Sequence, residues 1–69
     1  MNNVGIGNKL KQLRKERDMS MDNLVADLNR LYGLNLTKSM ISRWEGNKND
    51  PSLTYAKAIV EYFNVSLDW

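Results

Sequence analysis

An all-α fold, a compact bundle of four to five helices, is what this sequence predicts, and three observations carry the expectation. Apolar residues recur at intervals of three and four, the period of helices buried on one face. Boundaries fall between those stretches: Met19-Ser20 precedes a new helix start, and turns are indicated at Gly33-Leu34-Asn35-Leu36 and at Gly46-Asn47-Lys48-Asn49-Asp50-Pro51. No stretch reads as a credible strand. The 69 residues make one domain at most, near the lower size at which a core supports a fold unaided. The expectation is a single domain over 1–69, with helices at about 6–18, 21–32, 38–45 and 53–63 and a fifth starting at 66.

The first helix follows from Ile6, Leu10 and Leu13, spaced by four and three, with Lys9, Lys11, Lys15 and Arg17 between and after them. Arg14 lies next to this stripe, so it either snorkels to water or finds a carboxylate. Ser20 is a good N-cap for the second helix, and Asp22 in its first turn complements the helix dipole. Leu24, Val25, Leu28 and Leu31 form the apolar stripe, and Gly33 is a natural left-handed terminator. Asp22 and Asp27, five apart, read as solvated helix charges.

The third stretch organises the rest. Thr37 stands where an N-cap is wanted, so a helix begins at Lys38 and runs to Glu45. Leu36, Ile41 and Trp44 fall on one side of it, while Lys38, Ser39, Ser42 and Arg43 share the other. Each of those four can donate a hydrogen bond. Such a face suits reading base edges in a DNA major groove, although an ordinary amphipathic surface helix shows the same pattern. Pro51 then marks the start of a fourth helix, capped by Asp50 or Ser52, which buries Ala56, Ile59, Val60 and Phe63 with Tyr55 and Tyr62 at its margins. Ser66 looks like the cap of a fifth helix, so the chain stops where a helix should be starting, as in a trimmed chain or the front of a longer protein. Phe63, Val65, Leu67 and Trp69 are expected mostly in the core, the alternative being a dimer seam.

Composition removes several function classes. With no Cys, neither a disulfide framework nor a thiolate metal site is possible. With no His, the commonest general base and the commonest metal ligand are both missing. No catalytic constellation, metal site or cofactor is expected, and the chain does not read as an enzyme. No run approaches a membrane span and no signal-peptide core is present, so a soluble cytoplasmic protein is the default. The net charge of +2 is modest, but nine of the ten basic residues lie at or before Lys48. A surplus confined to the first two-thirds of the chain suits a nucleic-acid footprint on one side of a domain, or simply a solvated face.

Five segments, in order, carry a resemblance. They are Ile6-Gly7-Asn8-Lys9-Leu10-Lys11-Gln12-Leu13-Arg14, Met19-Ser20-Met21-Asp22-Asn23-Leu24, Ser39-Met40-Ile41-Ser42-Arg43-Trp44-Glu45, Pro51-Ser52-Leu53 and Phe63-Asn64-Val65-Ser66-Leu67-Asp68-Trp69. Together they resemble the phage-repressor and Cro-type (Xre) helix-turn-helix family, over essentially the whole chain. The resemblance implies a lambda-repressor-like helix-turn-helix domain whose second and third helices form the DNA-reading unit. It places Lys38, Ser39, Ser42 and Arg43 against base edges, with Arg43 the prime candidate for bidentate contact to guanine. It places Asn47, Lys48 and Asn49 beside the DNA backbone, with backbone amides near Met21 and Leu53 on phosphate. It also sets Arg14 against Glu45 as a largely buried structural pair.

Three departures accompany the match. Met21 stands where the family usually has Gln, the order after Glu45 is Gly46-Asn47 rather than Asn-Gly, and the stretch 29–35 exceeds the commonest family spacing. That longer stretch is expected to extend the second helix and face solvent, the alternative being a contact from Arg30 to DNA flanks. The function implied is a sequence-specific transcriptional regulator, of the phage-repressor type, acting as a homodimer on a two-fold operator in double-stranded DNA. The alternative is a protein-interaction or antitoxin-like module of the same fold, with a protein partner engaged through a region beyond the C-terminal end.

Overall fold

The computed structural model describes residues 6–66. Four helices carry the chain: α1 (Ile6–Glu16), α2 (Met21–Tyr32), α3 (Lys38–Glu45) and α4 (Leu53–Phe63). Among the described residues there is no strand, and the fold is the all-α bundle that the apolar period indicates. Ser66 is not helical, and Leu67, Asp68 and Trp69, where the fifth helix was expected, lie outside the described residues.

The helices begin where local chemistry satisfies their first amides. Ser20 accepts from the backbone N–H of Asn23 at 3.0 Å, and Thr37 accepts from that of Met40 at 3.3 Å. Both caps have extended backbone, as an N-cap requires. Ser52 occupies the corresponding place before α4 but its side chain makes no capping bond.

The C-terminal ends follow a different rule. α1 stops at Glu16, two residues short of the expected 18, because Asp18 adopts a left-handed conformation (φ 54). The amides of Asp18 and Met19 then bond back to the carbonyls of Lys15 and Arg14, both at 3.0 Å, and close a Schellman turn. Asn47 (φ 58) ends α3 in the same way, with its amide on Trp44 O and that of Lys48 on Arg43 O. Asn64 (φ 58) does so for α4. Asp and Asn tolerate this region because their short polar side chains bond locally. α2 ends on Gly33 (φ 64), whose amide returns to Asn29 O at 3.0 Å.

One core joins all four helices: Leu10 of α1, Leu24 and Leu28 of α2, Leu36 before α3, Ile41 and Trp44 of α3, and Ile59 and Phe63 of α4. Leu10, Leu24, Leu28, Ile41 and Ile59 have no exposed surface. Fully burying each such side chain is worth about 1.5–3 kcal/mol, large against the stability of so small a domain. Phe63, 2 % exposed, belongs to this core, and Val65 packs half-buried against it. Leu31 departs from the expected stripe, being 52 % exposed. The inward line of α2 is instead Leu24, Leu28 and half-buried Tyr32, at four-residue steps, which turns Leu31 outward.

α1 and α3 meet at backbone contact. A Cβ built on Gly7 would lie 1.7 Å from the carbonyl oxygen of Trp44, so the two backbones touch there and only glycine fits. Gly7, Leu10 and Arg14 are the buried positions of α1, at steps of three and four along one stripe.

Candidate nucleic-acid interface

The geometry of α3 divides it cleanly. Ile41 is fully buried and Trp44 is 5 % exposed, with its indole 5.6 Å from the Tyr55 ring centroid. Lys38, Ser39, Ser42 and Arg43 are all exposed. Among the described residues none of these four side chains forms a hydrogen bond or an ion pair, so a guanidinium and an ammonium face outward uncommitted. The Thr37 cap and the Schellman turn at Asn47 fix both ends of the helix that carries them.

Besides the buried Ile41 and Trp44, three contacts tie α3 and the loop after it to α1. Arg14 donates from Nε and Nη2 to the two carboxylate oxygens of Glu45, each at 2.8 Å, and from Nη1 to Met19 O at 2.8 Å. Both residues are buried, at 9 % and 7 % exposure, and the hydrogen bonds to Glu45 raise the Arg14 pKa further above its usual value. The pair that the resemblance implies is therefore present, and it reaches one contact further than expected, into the turn before α2. The Gly7–Trp44 approach is the second contact. The third has no local sequence signal: Asn47 Nδ2 donates to Oδ1 of Asn8 on α1, at 2.9 Å.

The loop after α3 explains the reversed Gly46-Asn47 order. Gly46 has φ −85, which any residue adopts, and the left-handed position falls on Asn47 instead. Lys48 and Asn49 follow it, both exposed. At the proposed phosphate-facing helix starts, the two ends differ. Ser20 already occupies the Asn23 amide, Asp22 adds a negative charge in the first turn, and Met21 is half-buried. The start of α4 has no acid in its first turn and no side-chain cap, and Leu53 there is 67 % exposed.

Asp27 is not the solvated charge that the spacing suggested. Tyr62 of α4 donates its hydroxyl to one oxygen of this half-buried carboxylate, and Arg30 pairs with the other at 3.1 Å. The Tyr62 bond, then that of Arg30, lowers the Asp27 pKa. Burial, then the bond to Asp27, raises that of Tyr62. Arg30, offered above as a contact to DNA flanks, is thus engaged with Asp27 on its own helix. Arg17 performs a related task at the end of α4, donating to Phe63 O at 3.1 Å with its guanidinium 5.1 Å from the Phe63 ring centroid.

Two absences hold among the described residues. No group of three or more His, Cys, Asp or Glu is placed to hold a metal ion, and no helix is long and apolar enough to cross a membrane. An open cleft lies between Tyr32 and Leu34 on one side and Thr54, Lys57, Ala58 and Glu61 on the other, and it includes no member of the polar α3 face.

A family model described as helix-turn-helix matches residues 10–69, most of the chain. The chain belongs to the Xre/Cro-type helix-turn-helix family. Neither a curated protein nor a solved structure matches it in the corresponding comparisons. Membership in the helix-turn-helix family identifies a DNA-binding regulator.

Proposed function

We propose that this helix-turn-helix chain is a sequence-specific transcriptional repressor of the phage type, cytoplasmic, that binds a two-fold operator as a homodimer with α3 in the major groove. The observation that carries the proposal is the division of α3: Ile41 and Trp44 are sealed in the core while Lys38, Ser39, Ser42 and Arg43 are exposed and uncommitted. A short rigid helix so anchored presents its polar side to base edges without first breaking an internal bond.

In this reading Arg43 contacts guanine O6 and N7, the commonest specific contact, and Lys38 at the helix start reaches a second guanine or a phosphate. Ser39 and Ser42 are short and contact phosphate, water or a thymine methyl region. Lys48 and Asn49 touch the backbone, and Asn47, whose amide nitrogen retains a second hydrogen, joins them while shaping the loop. The uncapped start of α4 at Leu53 supplies free amides to a phosphate. The start of α2 at Met21 is the weaker of the two, given Asp22 and the Ser20 cap.

Selection of bound sequences from a random duplex pool tests the reading. A reproducible motif with two inverted half-sites about 34–36 Å apart, bound less tightly as salt rises, is the expected result. Recovery of unrelated sequences, or binding indifferent to salt, contradicts it.

A further inference from the structure

The connection between α2 and α3, residues 33–37, is spanned by one side chain. Asn29, in the last turn of α2, accepts from the backbone N–H of Leu36 at 2.8 Å through Oδ1. Its Nδ2 donates to the carbonyl of the same residue at 3.1 Å. A single amide group therefore satisfies both backbone polar groups of a residue seven positions away, as a neighbouring strand would. Leu36 is itself 5 % exposed in the core, and the next residue is Thr37, the N-cap of α3. The chain between is closed at its other end by Gly33, whose amide returns to the carbonyl of Asn29. Both ends of the connection are thus tied to one residue.

We propose that Asn29 is a positioning residue: by holding Leu36 through both backbone groups, it fixes where α3 starts and so sets how sharply α3 discriminates between base sequences. Without its tether the connection has more conformations, and each lost contact at its end lets the first turn of α3 shift. Contacts to base edges depend on the direction of the helix within fractions of an ångström, whereas the pull of phosphate on Lys48 falls off slowly with distance. Loss of the clamp therefore weakens specific binding more than non-specific binding. The consequence for specificity rests on the DNA-reading role proposed above; the positioning itself does not.

Two measurements on the full chain test this with Asn29→Ala and Asn29→Asp. Amide hydrogen exchange is expected to quicken at Leu36, Met40 and Ile41 in Asn29→Ala while the amides of Leu10 and Ile59 keep their protection. Asn29→Asp retains the acceptor for the Leu36 amide and loses the donor, so it restores protection at Leu36 in part. The ratio of affinities for selected and random duplex is expected to fall about tenfold in Asn29→Ala, with the salt slope unchanged, and to recover partly in Asn29→Asp. Unchanged exchange at Leu36 and Met40 overturns the positioning role, whatever the DNA result. A changed exchange pattern with an unchanged affinity ratio overturns the link to specificity. Wild-type protein without any sequence preference overturns the DNA-reading proposal and that link together, while exchange alone decides the clamp.

Discussion

Arg14 and Glu45 meet through two parallel hydrogen bonds of 2.8 Å, and with them the first helix grips the last residue of the third. The geometry is bidentate, the site is nearly dry, and the remaining guanidinium nitrogen, Nη1, donates to Met19 O. Desolvation cancels much of what such a pair gains, so its net contribution to stability is small. Its effect on removal is not, because the surviving charge stays buried.

Glu45→Ala is accordingly expected to destabilise the domain by about 3–5 kcal/mol. At about 4–8 °C per kcal/mol for a domain of this size, that is enough to unfold much of the protein at moderate temperature. Thermal unfolding checks it, and a loss below about 1 kcal/mol, the size of an exposed pair, contradicts the burial argument.

Gly7→Ala tests the approach of α1 to α3. The added Cβ meets Trp44 O at 1.7 Å, a backbone atom that cannot turn aside. The helices must separate, at or above the about 1–3 kcal/mol typical of overpacking. Ala at Lys11, exposed on the same helix, is the control and should change stability by no more than about 0.5 kcal/mol.

Backbone conformation gives a pair of opposite expectations. Gly33 has open space around it, so Gly33→Ala meets no clash and costs only its left-handed φ, about 1 kcal/mol. Asn64→Gly releases the same kind of strain at the end of α4 and should be neutral or slightly stabilising. Urea unfolding of the two variants decides; destabilisation by both variants to the same degree contradicts the assignment.

Much of this architecture was legible because it rests on local signals. Ser20, Thr37 and Gly33 announce helix ends through chemistry confined to one turn, and the three-and-four apolar spacing marks which face of each helix is buried. The end of α1 was misplaced because Asp18 takes a left-handed role more commonly filled by glycine. What stayed hidden depends on partners far along the chain: Asn29 with Leu36, Asn8 with Asn47, Asp27 with Tyr62. None of these asparagines or acids differs, in local pattern, from an ordinary surface residue. The approach of Gly7 to Trp44 was equally outside the sequence analysis, although a glycine in line with Leu10 and Arg14 on a helical stripe is a signal for close packing.

Acid should expose the Asp27–Tyr62 link. Asp27 is held below its unfolded value of about 3.9, so its contribution is present above that pH and is lost as pH falls through the lower folded value. Tyr62 is raised, so its contribution is complete below about pH 10 and is lost as pH rises through the folded value. Tyr62→Phe should therefore be less stable than wild type near neutrality, and the gap should narrow in acid below the carboxylate range. Thermal unfolding across that range checks it; a gap independent of pH removes Asp27 from the account.

Lys48→Ala separates backbone contact from base reading. It should weaken binding to every duplex alike and lower the slope of log affinity against log salt by about one. An unchanged slope removes Lys48 from the interface.

The most direct measurement is the affinity of Arg43→Ala for the selected operator and for operators changed one base pair at a time. If an inward indole leaves this guanidinium free to read a base, the variant loses discrimination of about 1–3 kcal/mol at one position of each half-site and keeps it elsewhere. An equal loss of affinity on the operator, on every changed operator and on random duplex contradicts that role.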